Sequence, residues 1–274
     1  MNNESITTKS ISAAVETVLI SKTPNGVATV TLNNPHKHNA FDDQVIAQLT
    51  STFLDLQADD EVRLVILAAN GKSFSAGGDL GWMKRMAEYS YEENLQDARA
   101  LAEMLKTLNF LSKPTIARVQ GAAYGGAVGL VSCCDIAVGT PRTSFCLSEV
   151  KVGLVPATIA PYVVAAIGQR AARRYFTSAE PFDADTAVKL NLLSSVVEEE
   201  NLDEEVARFS ELLLGNGPLA ILASKTIINE VANRPVDDQI VGLTCELISR
   251  ARVSSEGQEG LTAFLEKRKP QWQN

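Results

Sequence analysis

Two glycine-rich segments hold the residues best suited to chemistry: Phe74-Ser75-Ala76-Gly77-Gly78-Asp79-Leu80 and, further along, Gly121-Ala122-Ala123-Tyr124-Gly125-Gly126. Each leaves an apolar, strand-like run and enters a helix-like one, so each can present a free backbone N–H at a helix start. Two such donors, brought together, would cradle one oxygen that acquires negative charge, which is what enolate chemistry requires. Asp79 stands where an N-cap would hold the following helix. Taken singly, either segment reads equally as a tight strand-to-helix turn, where glycine supplies positive φ and close packing. Neither follows the GxGxxG or GxxxxGK pattern of nucleotide cradles.

The elements that must position these segments alternate. Thr17 to Ser21 and Val27 to Leu32 read as two strands joined by a Pro/Asn/Gly turn. Asp42 to Leu56 has a helical apolar period, and Val62 to Ala69 is a strand suited to burial on both faces. Helices over Leu80 to Tyr89 and Tyr91 to Leu111, the strand Thr115 to Val119, a helix over Gly126 to Cys133 and the strand Ile136 to Gly139 complete an α/β pattern with a mainly parallel sheet. Beyond Pro156 helices dominate: Ile159 to Ile167, Ala171 to Phe176, Ala184 to Leu190, Leu202 to Leu214, Pro218 to Ala232, and a broken region from Asp237 to Lys269. Leu193 to Val197 alone reads as extended there. The expected divisions are a flexible tail (1–15), an α/β core (16–200) and a helical C-terminal region (201–274).

Bulk properties narrow the function. A chain of 274 residues with 45% hydrophobic content supports a sizeable core. A net charge of −8 disfavours nucleic acid and anionic membranes as partners. No apolar run approaches the roughly 18 residues of a membrane span, and the stretch up to Glu16 lacks a basic leader, so the expected location is cytoplasmic. Cys133, Cys134, Cys146 and Cys245 show no metal-ligand spacing and read as reduced core thiols, with no metal site expected.

A set of ordered motifs carries a resemblance. Asn34-Pro35-His36-Lys37-His38-Asn39-Ala40-Phe41, the two glycine segments, Lys113-Pro114, Cys134-Asp135-Ile136 and Phe145 through Pro156 together resemble the enoyl-CoA hydratase/isomerase (crotonase) superfamily, in register from Thr17 to the C-terminal basic cluster. The resemblance implies a crotonase-like spiral of ββα units with a C-terminal helical trimerisation region, and a homotrimer or dimer of trimers. It implies an acyl-CoA thioester substrate and no cofactor beyond the coenzyme A of that substrate. It maps the two oxyanion donors onto the amides of Ala76 and Gly126 and an acid/base onto Glu149. Coenzyme A contacts fall on Lys37, His38, Ser75, Ala76, Gly78, Asp79 and Leu80, and the acyl pocket on Trp82, Met83, Met86, Tyr124, Gly125, Gly129, Leu154 and Thr158.

One departure bears on the reaction. Gly129 stands where two-acid hydratases carry a second glutamate. A single carboxylate suffices to move a proton along an enoyl chain, as an isomerase does, whereas hydration also needs a water activated at C3. The loss also fits a non-catalytic CoA-binding scaffold. A softer likeness of Phe145 to Val164 and Ala171 to Phe176 to 3-methylglutaconyl-CoA hydratases favours hydration in fatty acid, leucine or terpenoid breakdown, with Lys84 or Arg85 available for a distal carboxylate.

Overall fold

The computed structural model describes residues 16–273, so the expected tail over 1–15 lies outside the described residues. The chain opens with strands β1 (Val18–Lys22) and β2 (Val27–Leu32), then helix α1 (Asp43–Ala58), strand β3 (Leu64–Ala69), helices α2 (Leu80–Glu88) and α3 (Tyr91–Asn109), strand β4 (Thr115–Val119), the short strand β5 (Ala123–Tyr124) and helix α4 (Gly126–Ser132). Strands β6 (Ile136–Gly139) and β7 (Ser144–Cys146) lead to helix α5 (Ala160–Ser178), strand β8 (Phe182–Asp183), helix α6 (Ala184–Lys189) and strand β9 (Ser195–Val196). Four helices close the chain: α7 (Leu202–Leu214), α8 (Pro218–Val231), α9 (Asp238–Val253) and α10 (Ser255–Glu266).

Six strands form one sheet in the order β1-β2-β3-β4-β6-β9, with an antiparallel hairpin at β1–β2 and parallel pairing thereafter. Parallel strands must bury both faces, which explains why Leu64, Val65, Ile116 and Ala117 are fully buried. A second layer runs beside it. Phe41 bridges Gly78, Ser75 bridges Ala123, β5 pairs with β7, and β7 pairs with β8. The second layer, built from short strands and single bridges, sets both glycine segments side by side.

Several helices are capped at their starts. Asp42 caps α1 by accepting from the Val45 amide at 3.0 Å, and Ser90 with Glu93 forms a capping box on α3. The inner face of α1 buries Ile46, Leu49 and Phe53, each contributing about 2 kcal/mol of apolar transfer. The two helices expected over Ile159 to Phe176 are both present and meet at Gly168, whose φ of 76° departs from helical values; together they carry the label α5. The strands β5, β7 and β8 have no counterpart in the sequence reading, because two or three residues are too short to show a two-residue period.

Packing moves the boundary expected at 200. Leu202 and Val206 of α7 share a buried cluster with Val27, Leu64, Ile116 and Val138, so α7 covers the first sheet as part of the core. Helices α8 to α10 pack largely on one another. They are tied back by Lys225, whose ammonium donates to Asp135 (2.7 Å) and to the Lys113 carbonyl (3.0 Å), and by Arg63, which reaches the Leu214 and Trp272 carbonyls.

Candidate active site

The first glycine segment is strapped on both sides. The Ser75 amide donates to the Ala122 carbonyl (3.0 Å), and the Ser75 carbonyl accepts from Tyr124 (3.0 Å). The Ala76 amide donates to the His38 carbonyl at 2.9 Å, the Gly77 amide to Ser75 Oγ at 3.1 Å, and the Asp79 amide to the Phe41 carbonyl at 3.0 Å. Among the described residues the Gly78 N–H meets no acceptor. This corrects the assignment of Ala76 as an oxyanion donor: its amide is already committed to His38, and the amide left free two residues later belongs to Gly78. Gly77, at φ 90°, makes the turn that exposes it. Asp79 then caps α2, accepting from Gly81 (2.8 Å) and Trp82 (3.2 Å).

The second segment reaches the same end differently. The Gly125 amide donates to the Cys146 carbonyl (2.8 Å), after which Gly126 opens α4. Among the described residues the Gly126 N–H also meets no acceptor, as expected of a first helical residue. The segments touch: a Cβ on Gly77 would lie 2.9 Å from the Tyr124 carbonyl oxygen, and one on Gly126 would lie 2.7 Å from Phe41 Cζ. Phe41 thus packs its ring on the second segment while its backbone pairs with the first.

Glu149 follows β7 and opens a short turn of 3-10 helix, Glu149–Val152. A Cβ on Gly125 would lie 3.4 Å from Glu149 Oε1, so the carboxyl stands against the second segment. Its Oε2 is buried and has no hydrogen-bond partner. Burial pushes the carboxyl above its usual value of 4.5, since the ionised form loses hydration that its own backbone N–H offsets only in part. A carboxyl so placed can take and return a proton.

The remaining candidates divide. Trp82 and Met83 stand over Gly78, with the Trp82 ring 3.4 Å from the position of a Gly78 Cβ, and Trp82 is buried, its Nε1 donating to Asp97 at 2.9 Å. Met86 is half-buried against the core, Leu80 and Leu154 are exposed, and Thr158 is half-buried. Tyr124 lends its backbone to the site while its hydroxyl sits 3.3 Å from Ser144 Oγ. Lys37 is spoken for, donating to Asp79 at 2.8 Å and thereby holding that carboxyl below its usual range. His38 adopts a left-handed conformation with Nδ1 3.1 Å from Ser73 Oγ. Arg85 is paired with Asp43 on α1, away from the Met83 side of its helix. The expected space at Gly129 is filled: a Cβ there would lie 2.3 Å from Ile159 Cγ2 and 3.3 Å from Leu105 Cδ2. Gly129 is buried under Ile159 and opens no pocket.

Sequence reasoning missed two of these features. The choice of Gly78 over Ala76 was hidden because the competing acceptor, His38, lies in a distant stretch of chain. Ile159 reads as the start of a helix, and nothing local marks it as the partner of Gly129.

Comparison with known proteins places the chain in a family. Residues 22–274 match the family model described as enoyl-CoA hydratase/isomerase. An enoyl-CoA hydratase structure from Shewanella pealeana superimposes with a TM-score of 0.92 at 44% identity, covering 94% of this chain and 97% of that one. Enoyl-CoA hydratase domain-containing protein 3, mitochondrial, of Xenopus laevis is 31% identical over 249 residues, 90% of this chain and 83% of the relative. Crotonyl-CoA hydratase of Syntrophomonas wolfei is 28% identical over 259 residues, 93% and 97% of the two chains. The fold is that of a crotonase-type enzyme. This chain belongs to the enoyl-CoA hydratase/isomerase family.

Proposed function

We propose that this enzyme adds water across the double bond of a 2-enoyl-CoA, with the Gly78 and Gly126 amides holding the thioester oxygen and Glu149 moving the proton. The observation that carries the reading is a carboxyl with one buried, unpartnered oxygen beside two amides without acceptors. As Glu149 removes a proton from water, the oxygen attacks C3, the C2–C3 π electrons shift onto the thioester carbonyl as an enolate, and the two amides stabilise that oxygen more than the starting carbonyl. Glu149, now protonated, then delivers its proton to C2. The atoms balance without any cofactor.

A second reading is supported by Ile159 over Gly129, which leaves Glu149 as the single carboxylate argued for the site. The same group could shuttle a proton between C4 and C2, as an isomerase does. Assays with crotonyl-CoA, 3-methylglutaconyl-CoA and a 3-enoyl-CoA separate the two. Hydration of a 2-enoyl-CoA is expected, with a loss of about 10²–10⁴ in kcat for Glu149→Gln. Rapid 3-to-2 migration with no hydration would give the chain to the isomerases. A branched acyl group, and a place in fatty acid, leucine or terpenoid breakdown, form part of the proposal tested by the 3-methylglutaconyl arm.

Assembly as a homotrimer or dimer of trimers is supported by apolar residues left exposed on α8 to α10, among them Ile228, Val253, Phe264 and Leu265. Light scattering at micromolar concentration is expected to give a mass of three or six chains. Among the described residues no helix is long and apolar enough to cross a membrane. A cytoplasmic location stays part of the proposal, to be checked by fractionation, since the Xenopus relative is named as mitochondrial.

A further inference from the structure

Gln120 joins the two glycine segments through a single residue. Its backbone stands between β4 and Gly121, the first residue of the second segment, and its side chain reaches back to the loop that leads into the first. Gln120 is 4% exposed, and its Nε2 donates to the carbonyls of Ala69 (2.9 Å), Gly71 (3.1 Å) and Ser73 (3.1 Å). With three carbonyls around that end of the side chain, the amide nitrogen must face them, and the oxygen must face the other way. There Oε1 is buried with no partner. A residue serving only to fill space would not keep an orphan buried oxygen, because an apolar side chain of the same length avoids its desolvation.

Asn39 grips the same loop from the other side. It is 2% exposed, and its Nδ2 donates to the carbonyls of Asn70 (2.8 Å) and Ser73 (2.9 Å), while Oδ1 accepts from the Asn34 amide (2.8 Å). The Ser73 carbonyl is therefore held by both buried amides. Backbone packing leaves no slack nearby, since a Cβ on Gly71 would lie 2.6 Å from Pro35 Cβ and one on Gly121 only 2.1 Å from the Lys72 carbonyl oxygen. From Ser73 the chain continues through the fully buried Phe74 and Ser75, which bridges Ala123, to Gly78, which bridges Phe41.

We infer that Gln120, with Asn39, is a positioning residue that sets the separation of the Gly78 and Gly126 amides by clamping the loop before the first to the head of the second. The inference rests on the proposed use of those amides as oxyanion donors. Gln120→Met removes the three donor contacts and the orphan oxygen at constant length, Gln120→Asn draws the amide back by one carbon while keeping a donor in place, and Leu56→Ala hollows the core away from the site as a stability control. The measurements are kcat and KM on a 2-enoyl-CoA, thermal midpoint, and the apparent pKa of a bound 3-oxoacyl-CoA, whose enolate is read by its ultraviolet absorbance. Gln120→Met is expected to lower kcat about 10- to 100-fold with KM within about 3-fold, and to raise the apparent enolate pKa by about 1 to 2. Gln120→Asn should fall between this and the wild type, and Leu56→Ala should lose thermal stability without moving the enolate pKa. A Gln120→Met enzyme with unchanged kcat and unchanged enolate pKa would overturn the inference alone. A wild-type protein that neither binds 3-oxoacyl-CoA nor turns over any enoyl-CoA would overturn the functional reading and the inference with it.

Discussion

The two glycine segments present free amides by different physical routes. In the first, Ser75 to Asp79 lie as an extended strap between the 38–41 stretch and the 122–124 stretch, and every amide but one is taken. Gly78 is left over because the turn at Gly77 points its N–H away from both neighbours. In the second, Gly126 is free because a helix starts there, and a first helical residue has no acceptor one turn earlier. A strap must be fixed by its neighbours to hold its donor still, whereas a helix start carries its donor on a rigid element. The precision of the first therefore depends on the surrounding packing, and that of the second on what stands against Gly126.

The largest test of this contrast places a methyl group on each donor. Gly126→Ala drives a Cβ into Phe41, and is expected to cost about 10²–10³ in kcat by displacing the ring or the helix start. Gly78→Ala meets the Trp82 ring at 3.4 Å and Met83 Cγ at 3.7 Å, both ordinary contacts, and should stay within about 3-fold of the wild type. Equal losses at both positions, measured on one 2-enoyl-CoA, would erase the distinction.

Installing the acid that Gly129 lacks probes the second segment again. Gly129→Glu is expected to destabilise by about 1–3 kcal/mol because its Cβ collides with Ile159, and adding Ile159→Ala should recover part of that loss. Strictly additive effects in urea unfolding would show that the two positions are not packed against each other. A smaller effect belongs to the first segment: Asp79→Ala removes the cap of α2 and should cost about 1 kcal/mol, read from the denaturation midpoint.

The smallest expected effect is a pH signature at Glu149. Its carboxyl titrates higher in the folded protein than in the unfolded chain, so the folded state binds the proton more tightly and stability declines as pH rises from the ordinary carboxylate value through the raised one. The stability of Glu149→Gln relative to the wild type should accordingly increase over that interval and then level off. A difference that is flat with pH would mean that the carboxyl is not desolvated.

Much of this protein was legible beforehand. The parallel strands, the cap at Asp79 and the helices α1 to α4 follow from local period and residue type, whereas Glu149 was singled out by the family resemblance and not by its neighbours in sequence. Lys37 was expected to face coenzyme A phosphates, but its ammonium lies on Asp79, a pairing that joins residues far apart in sequence. The short strands of the second layer were invisible because their stability comes from neighbours and not from their own two or three residues.

Taken alone, the sequence determined the two glycine segments and the residues that start and stop the helices, since these depend on backbone preferences acting over a few residues. Tertiary structure decided which amide is left unpaired, what occupies the space beside Gly129, and that Glu149 Oε2 has no partner. Those outcomes depend on acceptors and side chains delivered by other turns of the spiral, and hydrogen-bond competition of that kind is settled only when the chain has folded.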